Sequence, residues 1–134
     1  GVAVGARPAA ARLGLVSVVA PALVAGNAVV VIASEQYPLS AISLAEVIAT
    51  SDVPGGVVNV LTGSPAEMAS WLAAHADVNA LDLAGAGAID WVELQISAAD
   101  TLKRVLAPGE VVASPQRIAA FTEVKTVWHP KSMV

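Results

Sequence analysis

The chain has 134 residues, no cysteine, a formal net charge of −4 and a charged fraction of only 13%. A length of this order supports one domain, 1–134, which can bury about two-thirds of the surface its unfolded chain exposes. The acidic balance excludes a nucleic-acid partner, since phosphate binding needs clustered Lys and Arg, and the missing thiol excludes a disulfide framework, a thiolate metal site and a cysteine nucleophile in this chain.

Apolar residues make up 56% and aromatic residues 4%, so the core is expected to be built from Ala, Val, Leu and Ile. Such a composition implies either a membrane segment or an outer surface covered by something else. His75 and His129 stand far apart with no carboxylate at ligand spacing, which argues against zinc. The first residue is Gly1, which leaves room for a segment cut from a longer chain.

In chain order, Val2 to Val4 is a short strand candidate, and 6–12 is a turn. Leu13 to Ala33 is 21 residues without a charge, long enough for a membrane span. Pro21, Gly26 and Asn27 break it, however, and a helix over Leu13 to Val24 followed by a buried strand accounts for it better, with a kink or break at Pro21. No membrane association is therefore expected. Val29, Val30, Val31 and Ile32 form an unbroken β-branched run, the pattern of a strand buried on both faces of a parallel sheet, and this strand is expected at the centre. A turn at Ser34 to Pro38 and a helix over Leu39 to Thr50 come next.

Val57 to Leu61 is the second clear strand. Ser64 and Pro65 then open a helix as cap and first residue, with Met68, Trp71, Leu72 and His75 as its buried side. Ala80 to Leu83 is a further strand, leading to a glycine turn. From Asp90 to Val112 the periodicity weakens, and Lys103/Arg104 is expected on a solvated helix face. A short helix starts at Ser114-Pro115, with Ile118 and Phe121 on one side. Lys125 to Trp128 is a terminal strand candidate. Strands alternating with helices predict an α/β, Rossmann-like, doubly wound and mostly parallel sheet. In such a sheet ligands bind beyond the carboxyl ends of the strands.

The stretches PALVAGNAVVVIASEQYPLSAISLAEVI, VPGGVVNVLTG and HADVNALDLAG resemble the cofactor-binding half of the aldehyde dehydrogenase superfamily. The resemblance covers Gly1 to about Gly85, while 86–113 is poorly matched and the sheet is incomplete relative to the family. SPQRIAAFTEVKTVWHP, Ser114 to Pro130, is similar to the end of the second, catalytically silent domain of tandem members.

In active members a cysteine thiolate attacks the aldehyde, hydride passes to NAD or NADP, and water hydrolyses the thioester. Here the cysteine is absent, Ala10 stands at the position of the oxyanion asparagine, and the glutamate base belongs to a segment missing between about Asp90 and Pro108. Of the cofactor motifs, Ile32 and Ala33 replace a lysine and a proline while Ser34 and Glu35 remain. Gly63 is kept with Pro65 where a second glycine would stand, and Gly85 is kept without the following serine. Asp90 adds a carboxylate repulsive to a pyrophosphate.

The resemblance thus implies vestigial cofactor positions at Ser34, Glu35, Gly63 and Gly85, and no catalytic or metal residues. The function it implies is that of a non-catalytic, cytoplasmic aldehyde-dehydrogenase-like domain with a structural or oligomerisation role. Its partner would be a catalytic aldehyde dehydrogenase domain or a second copy, with Trp128 as the best interface residue. The competing reading is part of a working NAD(P)-dependent enzyme whose thiol lies in another domain or chain.

Overall fold

A computed structural model describes residues 2–5, 11–87 and 89–130. Ten elements alternate along the chain: β1 (Val2–Gly5), α1 (Ala11–Val24), β2 (Val29–Ile32), α2 (Leu39–Ala49), β3 (Val58–Leu61), α3 (Pro65–Ala74), β4 (Ala80–Asp82), α4 (Trp91–Ala99), β5 (Arg104–Leu106) and α5 (Pro115–Ala119). The strands form one parallel sheet in the order β3-β2-β1-β4-β5. The fold class expected from the sequence is the one observed.

The position of the central strand is corrected. β1 lies in the middle, pairing Val2 with Val29 on one side and with Ala80 on the other. β2 sits one place out, yet helices and neighbouring strands still enclose it, and Val29 and Val31 are fully buried. An apolar run reports burial on both faces, which the second strand of five shares with the third.

Right-handed crossovers dictate the layers. Moving outward from β1 to β3 puts α1 and α2 on one face, and returning past β1 to β4 and β5 puts α3 and α4 on the other. Two apolar clusters result. One joins Leu15, Val18, Val19 and Ala22 of α1 and Ala41 of α2 to β2 and Ala80. The other joins Ala73 of α3 and Leu94 and Ala98 of α4 to Leu81 and Leu83. β4 alternates between them, as the period of two along a strand requires.

Such winding leaves the α1-side face of β4 and β5 without a crossover helix. α5 covers it: Phe121, just beyond the helix, is 1% exposed in the α1 cluster, with Leu106 and Val111 packed alongside. The Asn27 side-chain amide donates to the Phe121 carbonyl at 3.0 Å, tying this segment to the turn before β2.

Several local expectations are revised. α1 runs through Pro21 to Val24 as one helix. On α3, Ser64 holds the cap position without a side-chain hydrogen bond. Trp71 is 78% exposed and His75 is exposed as well, the buried side being Ala73 with Ala69 and Leu72. Small residues carry that face because α3 lies close against α4 and over β1, leaving no room for an indole.

In the stretch 90–112, where periodicity weakens, the structure has α4 and β5. Asp90 caps α4, its carboxylate accepting from the amides of Val92 and Glu93 at 3.1 and 3.3 Å. Lys103 and Arg104 lead into β5 rather than lying on a helix, with Lys103 buried and donating to the Thr101 hydroxyl. Lys125 to Trp128 forms no strand within the chain.

Candidate functional site

A parallel sheet sends all its strand-to-helix turns to one edge, and β2, β3 and β4 bring Ser34/Glu35, Gly63 and Gly85 there. The turns after β2 and β3 are neighbours. That after β4 lies three strand spacings from β3, roughly 14 Å. The structure thus gathers the four sequence-derived positions along one rim, with Gly85 set apart by the width of β1.

Each is occupied with local structure. Ser34 is buried, and its hydroxyl accepts from the Tyr37 amide at 3.3 Å, shaping the turn into α2. Glu35 beside it is exposed. Gly63 has φ +144, a conformation that disfavours any side chain, and a Cβ there would lie 3.4 Å from the Met68 methyl. The space a cofactor would approach through a glycine turn is thus bordered by the Met68 side chain. Gly85 lies in the turn beyond β4, closed by the Ala86 amide donating to Leu83 O at 2.9 Å.

The turns that follow β2, β3 and β4 carry no cation of their own. Between Arg12 and Lys103 the sequence contains no Lys or Arg, while it carries Glu35, Glu46, Asp52, Glu67, Asp77, Asp82, Asp90, Glu93 and Asp100. β2, β3, β4 and their helices all fall inside that stretch. Phosphate recognition draws on cationic side chains as well as on amide groups. The residues present therefore do not fit a pyrophosphate well, offering Glu67 in the first turn of α3 and Asp90 at the start of α4. Among the described residues no cluster of His, Asp and Glu suits a metal ion.

One group at this rim has no counterpart among the sequence-derived positions. Asp82, at the carboxyl end of β4, is 1% exposed and pairs with the guanidinium of Arg117 on α5. Its Oδ1 also accepts from the Ala84 amide at 3.0 Å. Burial pushes the Asp82 carboxyl above the ordinary carboxylate value, with the Ala84 amide and then Arg117 pulling it back. The only signal in the sequence is a charge inside the apolar run Ala80 to Leu83, where a partner is required.

The sequence profile of the aldehyde dehydrogenase family matches residues 13–109. The mitochondrial aldehyde dehydrogenase of Leishmania tarentolae is 39% identical over 85 residues, which are 63% of this chain and 17% of that protein. Among solved structures, an aldehyde dehydrogenase from Bartonella henselae superposes with a TM-score of 0.68 at 33% identity, over 78% of this chain and 22% of that one. A mutant of aldehyde dehydrogenase C from Pseudomonas syringae, in complex with NAD+ and octanal, gives 0.64 at 32% identity, again over 78% and 22%. The chain spans about a fifth of the length of these relatives.

Proposed function

Since the chain belongs to the aldehyde dehydrogenase family, we propose that it is a non-catalytic form of the family's dinucleotide-type sheet, kept as a structural or oligomerisation module. The observation that carries this reading is chemical. The family reaction needs a thiol that attacks the carbonyl and later leaves, and this chain has no cysteine. The turns after β2, β3 and β4 support the same reading, since residues 13–102 contain no Lys or Arg. On this reading the chain corresponds to the silent domain of tandem members, whose close Ser114 to Pro130 resembles. The partner is then a catalytic aldehyde dehydrogenase domain or a second copy. No helix among the described residues is long and apolar enough to cross a membrane.

A second reading draws on Ser34, Glu35 and Gly63 standing on adjacent turns. Here the segment supplies cofactor contacts to an enzyme whose thiol lies in another domain or chain. Calorimetric titration with NAD+ and with NADP+ separates the two. The scaffold reading expects no heat and no rise in melting temperature at millimolar cofactor, whereas saturable binding that is lost in Glu35→Gln establishes the second.

A further inference from the structure

The α1-side face of β4 and β5 carries more positive charge than the chain matches. Side chains alternate along a strand, and Leu106 packs into the α1 cluster, so Arg104, two residues earlier on β5, belongs to the same face. Its neighbour across the ladder is Ala80, buried in that cluster. Arg104 is half-buried, and its Nε is enclosed without a hydrogen-bond partner. Among the described residues no carboxylate pairs with it.

Arg117 shares the deficiency. Its Nη2 donates to Asp82, whose other oxygen accepts from the Ala84 amide, while its own Nε is enclosed and unpartnered as well. Asp82 stands two residues beyond Ala80 on β4, so the levels at which the two guanidiniums are anchored differ by a two-residue step, roughly 7 Å. An arginine side chain spans such a step.

An enclosed charge without a counterpart is costly, and an orphaned buried donor calls for an acceptor. The donors left over define the acceptor. A guanidinium presents Nε and one Nη as a parallel pair that fits two oxygens of a carboxylate or a phosphate. One such fork uses up a carboxylate, whereas a phosphate keeps a further oxygen for the Arg117 Nε. Asp100, Glu110 and Glu123, which flank β5 and α5 in sequence, are exposed and form no ion pair.

We propose that Arg104 and Arg117 form a binding site for a phosphate-type oxyanion between β5 and α5, with Arg104 as the fork and Arg117 Nε as the third donor. Bound there, the anion fastens the terminal helix to the last strand of the sheet. The site lies under α5, apart from the rim of turns, since Arg104 opens β5 at the amino-terminal edge of the sheet.

Melting of the full chain, with inorganic phosphate replacing chloride at constant ionic strength, tests this. A saturable rise is expected, roughly 4 °C at ten times the dissociation constant, with saturable movement of the arginine Nε–H signals in proton–nitrogen spectra over the same concentrations. Arg104→Met should lose both responses yet melt with or above the wild type in chloride, because it exchanges an unpaired guanidinium for an apolar chain of similar length. Glycerol phosphate separates the sources: a matching response means that an esterified phosphate fits, and a response to inorganic phosphate alone means that the site takes the free ion. No saturable rise, or unmoved Nε–H signals, would overturn the proposal, and an equal rise in Arg104→Met would mark an adventitious ion only. An Arg104→Met that melts well below the wild type in chloride would show a partner within the chain, Glu123 if Glu123→Gln melts low as well, and would overturn it too.

Discussion

Two helix ends in this chain solve the same problem with different residues. After α1 the amides of Gly26 and Asn27 donate to Leu23 O and Ala22 O, and after α4 those of Leu102 and Lys103 donate to Ala99 O and Ala98 O. Both are six-to-one and five-to-two closures that need a left-handed residue. Gly26 takes φ +83 freely, whereas Leu102 adopts φ 54 with its side chain 91% exposed. Holding a residue with a Cβ in that region costs roughly 1–2 kcal/mol. Leu102→Gly should therefore stabilise the fold by about 1 kcal/mol, read as a higher urea midpoint at unchanged slope. The buried pair gives the opposite kind of prediction. Arg117→Met leaves the Asp82 carboxylate enclosed without its cation and should cost about 3–5 kcal/mol. The raised Asp82 value has a definite sign. The native state holds this proton more tightly than the unfolded chain, so the contribution is full below the unfolded value near ~4 and is lost as pH rises through the folded one. Urea midpoints of the wild type, taken relative to Asp82→Asn, should thus fall from pH 4 to pH 7, and a rise over that interval would refute the assignment.

The elements divide by how plainly their residues announce them. β2 and α2 are legible in the sequence, because an unbroken Val run and a change to helical spacing match few alternative structures. α4 is not, since its buried positions Leu94 and Ala98 mix with exposed Trp91, Val92 and Ile96, and its cap, Asp90, reads in sequence only as a repulsive charge. The candidate rim is legible as a set of turns. The lack of cations in its turns after β2, β3 and β4 and the Asp82–Arg117 pair are not, since the first emerges only when charges are placed on the sheet, and the second joins residues 35 apart in sequence. Trp71 shows the limit of spacing arguments: it recurs at helical period yet faces solvent, because α3 turns small residues toward α4. α5 illustrates tertiary demand. Five residues form too short a helix to persist alone, and it exists because Phe121 and Arg117 are held by the bare face of β4 and β5. Phe121→Ala should cost about 3–5 kcal/mol, and hydrogen exchange should show α5 losing protection before β2 does.

At the scale of the whole molecule the two halves of the sheet touch through β1 alone. β2 and β3 lie on one side with α1 and α2, and β4 and β5 on the other with α3 and α4. α5 is the brace between them, reaching from Asp82 at one end of β4 to Asn27 at the foot of β2. It lies beyond residues 13–109, the stretch that the family profile matches, so the closure of the β4–β5 face depends on residues C-terminal to that segment. The order of the strands also has a temporal meaning. Val2 can align with Val29 early, but its other neighbour, Ala80, is synthesised about fifty residues after Val29. During synthesis the strand destined for the middle therefore stands as a temporary border, with its hydrogen-bonding groups bare for several seconds at ordinary elongation speeds. A nascent chain of this design has reason to engage a chaperone until β4 emerges, and slow codons before position 80 would lengthen that exposure.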